Sequence, residues 1–136
     1  MDSAKKKMPG KKKAIIAVAC VLVVGLAIGI YALNSLSKYK KTIEAIEVRN
    51  VDLTAIEDGE YFGDSDAGMV SAKVKVVVKD HAITEIELIE HKNGRGAEAE
   101  KLPDEVIRQQ RIDVDMVSGA TSSSKVILDA IHDALK

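Results

Sequence analysis

Hydrophobic and polar positions divide the chain into one unbroken apolar stretch near its N-terminus and a longer part in which the two kinds alternate. No charge interrupts Ala14 to Leu33. A helix rising about 1.5 Å per residue carries that stretch across about 30 Å, the thickness of a bilayer's hydrocarbon core. A single transmembrane helix is therefore predicted over residues 14–33. Beyond it, Leu36, Tyr39, Ile43 and Ile46 recur at intervals of three and four, which predicts a juxtamembrane helical stalk over residues 34–50.

From residue 51 the pattern becomes that of a globular body running to residue 136. Asp58-Gly59 and Gly63-Asp64-Ser65-Asp66 bracket Glu60-Tyr61-Phe62, and turn residues around a short aromatic pair predict a short strand between two turns. Between Met69 and Lys79, Ala72, Val74, Val76 and Val78 share one face while Ser71, Lys73, Lys75 and Lys79 share the other, a half-buried strand. Lys79-Asp80-His81 reads as a turn. Ala82 to Glu90 alternates again, with Ala82, Thr84, Ile86 and Leu88 opposite Ile83, Glu85, Glu87 and Ile89, so a hairpin is the simplest pairing. Pro103 opens a short helix with Leu102, Val106 and Ile107 facing inward, and Ile112, Val114 and Val117 resume an alternating run. Val126, Ile127, Ala130, Ile131, Ala134 and Leu135 then mark one face of a terminal helix, which Ser122, Ser123 or Ser124 is expected to cap. The fold class is α+β: a small antiparallel sheet packed with helices, preceded by one N-terminal transmembrane helix.

Charge orients this arrangement. Lys5, Lys6, Lys7, Lys11, Lys12 and Lys13 precede the span, whereas only Lys38, Lys40 and Lys41 follow it closely. Lysines near a span stay on the cytoplasmic side, so residues 1–13 are expected to be a cytoplasmic tail of a single-pass cell-membrane protein, with the C-terminal body extracytoplasmic. A cleaved signal peptide would have a shorter apolar region. Ala17-Val18-Ala19-Cys20 loosely resembles a lipobox, but the apolar run continues past Cys20, which favours an uncleaved anchor in contact with membrane lipid. Residues after the span carry an excess of acid, a poor basis for binding nucleic acid. They contain no cysteine, and His81, His91 and His132 are dispersed, so neither disulfides nor a metal site is expected.

Two stretches carry candidate chemistry. His91-Lys92-Asn93-Gly94-Arg95-Gly96 ends a predicted strand with two glycines, an amide and two cations; it can approach a ligand and offer Arg95 to an anion or flat ring, or be a flexible surface turn. Asp115-Met116-Val117-Ser118-Gly119-Ala120-Thr121 leads into the terminal helix and offers a hydroxyl on a glycine-relaxed turn. A helix N-terminus accommodates phosphate through free N–H groups and the helix dipole. The plainer reading of the same residues is a helix-capping turn. Asp64 and Asp66 lack the later Glu of a calcium loop and read as a solvated turn.

Asp115 followed by Ser118-Gly119-Ala120-Thr121 resembles the FMN-binding domain family, which includes the flavin-carrying small subunits of sodium-pumping quinone reductases and Rnf-type complexes. The likeness extends from Asp58-Gly59-Glu60-Tyr61 to the terminal helix, without the long insertions of the larger subunits. It implies FMN moved from FAD onto the Thr121 hydroxyl as a phosphoester by a flavin transferase, with Asp115, Ser118, Gly119 and Ala120 as recognition and turn elements. Tyr61, His91, Asn93 and Arg95 are candidates to surround the ring, Tyr61 by stacking and the others by hydrogen bonds. Tyr39, Tyr61 and Phe62 are the aromatics after the span, so a rather exposed flavin is expected. The implied function is an electron carrier between a membrane donor, such as a quinone or an NADH-linked dehydrogenase, and an external or membrane acceptor. The resemblance favours a redox carrier over a turnover enzyme, and no catalytic residues are assigned. A non-redox membrane-anchored adaptor or sensor is the alternative, and a hydrolase using Thr121 or Ser118 lacks any motif that would place a base beside either hydroxyl.

Overall fold

The computed structural model describes residues 10–136. Lys5, Lys6 and Lys7 of the predicted basic tail lie outside the described residues. The first element, α1 (Gly10–Ala45), continues through both the predicted span and most of the predicted stalk. It is long and apolar enough to cross a membrane, with a mean hydropathy of 2.8 over its most apolar part, and is consistent with a single-pass anchor. The chain divides into two compact units, one ending at Lys38 and the other running from Tyr39 to Lys136. In the first, apolar side chains from Ile15 to Leu33 are exposed, a surface suited to lipid.

The second unit is α+β. Strands β1 (Gly59–Asp66), β2 (Ser71–Lys79) and β3 (Ala82–Lys92) form an antiparallel sheet in the order β1-β2-β3. A short 3-10 turn, Ala97–Lys101, leads into α2 (Leu102–Gln109), and α3 (Thr121–Leu135) ends the chain. The face of α3 expected to be apolar is buried throughout, with Val126, Ile127, Ala130 and Ile131 completely enclosed. It packs on β1 and β2, above Ala72, Val74, Val76 and Val78. Burying each large side chain contributes roughly 1.5–3 kcal/mol relative to leaving it in water.

β3 departs from simple alternation. Val78 pairs with Ile83, Val76 with Ile86, Val74 with Leu88 and Ala72 with His91, with register shifts between Val77 and Val78 and between Lys73 and Val74. Each shift inserts one residue, Thr84 or Ile89, into β3. An extra residue exchanges the faces of everything beyond it. Ile83, expected opposite Ile86 and Leu88, therefore joins them over the core, and Ile89 is left 45% exposed. On the outer face Lys75 lies 3.0 Å from Glu87 and Lys73 3.8 Å from Glu90. These exposed pairs favour the register more than they add stability.

β1 is longer than the predicted strand. Gly63-Asp64-Ser65-Asp66, expected as a turn, continues the strand opposite Val74, Lys73, Ala72 and Ser71. The glycine meets a packing demand: a Cβ at Gly63 would overlap the Ala130 carbonyl oxygen and the Ala134 amide and lie 2.8 Å from the Ala134 Cβ. Two acidic side chains of α3 complete the contact. Asp129 accepts from the Ser65 hydroxyl at 2.7 Å and Asp133 from the Asp64 amide at 3.1 Å. The Asp133 carboxyl is held below its usual range by hydrogen bonds from Lys136 and the Asp64 amide.

The β2–β3 turn is Asp80-His81, with φ of 51° and 60°, the left-handed pair that a two-residue hairpin requires. Neither residue is glycine, and both are held from outside: the Asp80 amide donates to Asp58, and the His81 ring faces the Leu53 and Ile56 carbonyls at 3.3 and 3.2 Å. Beyond α2, whose predicted start with Pro103 in its first turn is observed, the Gln110 side chain both accepts from the Ile83 amide and donates to its carbonyl, each at 2.8 Å. It thus caps part of the β3 edge. Ile112 and Val114 are buried, but their segment is irregular rather than a strand. The Asn50 side chain takes up the Ile112 and Asp113 amides that a neighbouring strand would otherwise bind.

Gly63→Ala is expected to lower the unfolding free energy by about 1–3 kcal/mol, the usual cost of overpacking, because helix backbone and the Ala134 methyl already occupy the space. Gly94→Ala, where an added methyl meets open space, is the control. Denaturant unfolding of the full chain in detergent measures both, and equal stability of the two variants would refute the packing account.

Candidate functional site

The Asp115–Thr121 stretch folds around a β-turn, Val117-Ser118-Gly119-Ala120. The Ala120 amide donates to the Val117 carbonyl at 3.0 Å. Gly119, third in the turn, has φ of 79°, the value that a type II turn demands at that position and that side chains disfavour. Space is not the reason for the glycine, since an added Cβ would meet nothing within 4 Å.

Ser124 closes the turn from inside. Its hydroxyl, fully buried, accepts from the Val117 amide at 3.0 Å and donates to the Ala120 carbonyl at 2.7 Å. The Ser124 amide donates to the same carbonyl at 2.9 Å. Both ends of the turn are thereby tied to the first turn of α3. The expected serine cap is not observed: Ala120 occupies the cap position, and no side chain caps the helix. Ser124 lies too far into the helix and is engaged backwards with Ala120, a bond that competes with capping. The leading amides of α3 are consequently left to whatever lies before them.

A cavity of about 420 Å³ lies before them, within the range of small-molecule sites. Thr121 is exposed at its edge, at the first position of α3. Gly119, Ala120, Ser122 and Ser123 line it from the motif, and Gly94, Arg95 and Gly96 line it from the loop after β3. A Cβ on Gly96 would overlap the Ser123 hydroxyl and lie 2.5 Å from the Ser123 Cβ, so the missing side chain is what lets the loop lie against α3. No acidic side chain lines the cavity among the described residues. A guanidinium and a helix start without a side-chain cap are groups that favour an anion by charge and by hydrogen bonding. The residues present therefore fit a phosphate group attached at Thr121.

The remaining candidate residues lie elsewhere. His91 is almost fully enclosed, with a side chain 2% exposed. Its Nδ1 stands 3.0 Å from Glu100 and 3.3 Å from the Asn93 amide nitrogen. Its buried Nε2 has no hydrogen-bond partner. His91 and Asn93 thus sit at the base of the loop that carries Arg95, outside the cavity lining. Tyr61 lines a different cavity, with Leu135 at the far end of α3, and donates its hydroxyl to the Glu57 carbonyl at 2.7 Å. Asp115 and Ser118 face a third, of about 580 Å³, beside Leu102, Glu105, Arg108 and Met116. Hydrogen bonds from Arg108 and Gln109 hold the Glu105 carboxyl down at about 2.

Tyr39, Met69 and Val70 also line the Thr121 cavity, and the sequence pattern does not assign them to it. Tyr39 enters that pattern only as one position of an amphipathic stripe, a signal that a side chain is covered but not by what. Met69 and Val70 enter it only as the start of a strand; they lie instead in the β1–β2 turn, where the Ala67 amide donates to the Val70 carbonyl at 2.9 Å.

Ser124→Ala leaves the part-buried Val117 amide without its side-chain acceptor, which costs about 1 kcal/mol or more. Hydrogen exchange at Val117 should accelerate more than at the core amides of β2. Unchanged exchange at Val117 would mean that the hydroxyl does not hold the turn.

No curated protein matches the chain. The profile of the FMN-binding domain matches residues 67–136, from the β1–β2 turn to the end of the chain. The match takes in the Arg95 loop, Asp115 and Thr121; it starts later than the likeness seen from Asp58 and leaves β1 outside. It covers more than half of the chain, and the chain belongs to the FMN-binding domain family.

Proposed function

We propose that this protein is a membrane-anchored, extracytoplasmic electron carrier whose FMN is joined to Thr121 by a phosphoester. The observation that carries this reading is the exposed Thr121 hydroxyl at the uncapped start of α3, in one cavity with Arg95. In the attachment step the Thr121 oxygen bonds to the phosphorus on the flavin side of FAD. The pyrophosphate bond breaks, AMP leaves, and the hydroxyl proton passes to a base of the transferase. A hydroxyl at the first position of a helix, on the surface, is accessible to such an enzyme. The phosphodiester keeps one negative charge, which the amides of α3 stabilise by roughly 0.3–1 kcal/mol at an exposed terminus, and Arg95 adds a second favourable charge.

Bound FMN supplies reversible exchange of one or two electrons. The protein's part is to hold the phosphate, keep the cofactor from being lost and limit where it can travel. The N-terminal anchor favours a membrane donor such as a quinone or an NADH-linked dehydrogenase. The lysines before the span favour an N-terminus inside and the flavin outside.

Two outcomes are expected when the chain is produced with a flavin transferase and riboflavin. The wild-type chain gains the mass of an FMN phosphoester and keeps flavin fluorescence after denaturation, whereas Thr121→Val gains neither. An unmodified wild-type chain under those conditions would sink the proposal. Asp115 is exposed and has no hydrogen-bond or ion-pair partner among the described residues. Asp115→Ala should therefore slow flavin attachment at least tenfold, a loss of about 1.4 kcal/mol or more in transition-state stabilisation, while leaving unfolding unchanged. Attachment at the wild-type rate would remove Asp115 from recognition.

A further inference from the structure

The wall of the Thr121 cavity has two chemistries. Arg95, the glycines beside it and the start of α3 make one part polar; Tyr39, Met69 and Val70 make the other apolar or aromatic. The apolar part is firmly built. Gly68 turns the chain with φ of 91°. Its amide donates to Asp66 at 2.7 Å, and its carbonyl accepts from Lys92 at 3.1 Å, so the turn carrying Met69 and Val70 is braced from both sides. Val70 is 6% exposed and anchors the turn in the core, while the neighbouring Met69 is 53% exposed. Tyr39 is half-buried against the core. A flexible thioether and a phenol ring beside an open cavity form a surface suited to a flat aromatic ligand.

Resting on the assignment of FMN to Thr121, the geometry points to Tyr39, Met69 and Val70 as the seat of the isoalloxazine ring, with the Tyr39 ring in contact with it. The ester confines the phosphate to the polar part of the cavity. The ribityl chain and ring must extend from there, and within the same cavity the remaining wall is this patch. Tyr61, the other tyrosine of the globular unit, faces another cavity with its hydroxyl already bound.

A phenol touching a flavin quenches its emission: the excited ring takes an electron from the phenol and returns it, with no net reaction. Phenylalanine keeps the shape but is too hard to oxidise. In the full chain carrying covalent flavin, Tyr39→Phe should emit several-fold more light per bound flavin than the wild type. Tyr39→Trp should stay dim, and Tyr61→Phe should match the wild type. Met69→Glu should lower the flavin midpoint potential relative to Met69→Gln, because a nearby negative charge opposes electron uptake. Wild-type emission in Tyr39→Phe, brightening in Tyr61→Phe alone, or equal potentials in the two Met69 variants would overturn this seat while leaving the Thr121 ester standing. A wild-type chain with no flavin would instead overturn the ester on which it rests.

Discussion

Two glycines that have no room for a methyl group determine where α3 lies. Gly63 lets the helix backbone rest directly on β1 near its C-terminal half, and Gly96 lets the loop after β3 rest on Ser123 in its first turn. Between those two close approaches the buried face of α3 supplies much of the core. Core and site are therefore one construction: the helix that hides Val126, Ile127 and Ile131 also places its first residues in the wall of the cavity that Arg95 lines. A helix end is a generic anion site; what makes this one particular is that a cationic loop is pressed against it and that, among the described residues, no carboxylate lines the cavity.

Elements with a strong hydrophobic period are legible in the sequence. The alternation of β2, the stripe of α3 and the opening of α2 with Pro103 correspond to observed elements, because those faces are buried and period and burial have the same physical cause. Legibility ends where a residue serves a tertiary demand. Gly63 reads as a turn residue, since sequence does not distinguish a glycine needed for backbone freedom from one needed for lack of volume. The insertions at Thr84 and Ile89 leave no mark of their own in composition, yet they decide which isoleucines of β3 reach the core. Ser124, one of three serines that could read as a cap, instead bridges Val117 and Ala120 of the turn before the helix.

The same division holds for the site. Thr121 can be singled out because its stretch suggests phosphate chemistry and Arg95 because its loop can offer a cation to an anion or a flat ring, and the fold brings the two stretches to one cavity. Tyr39 and Met69 belong to no such stretch. They are separated from Thr121 by most of the globular unit in sequence, and only the tertiary arrangement makes them its neighbours. Tyr61 has the right chemistry for a ring partner but lies towards the other end of α3.

The clamp made by Ser124 has a consequence for moving this motif into other proteins. The segment from Asp115 to Thr121 contains Asp115 and the Ser118-Gly119-Ala120-Thr121 run, yet the hydroxyl that ties Val117 to Ala120 lies three residues past its end. A graft that stopped at Thr121 would carry the letters without the shape, leaving Gly119 free to swing and the turn open to water. The smallest portable unit is a turn together with its first helical turn, through Ser124, and it needs a host helix that continues from there.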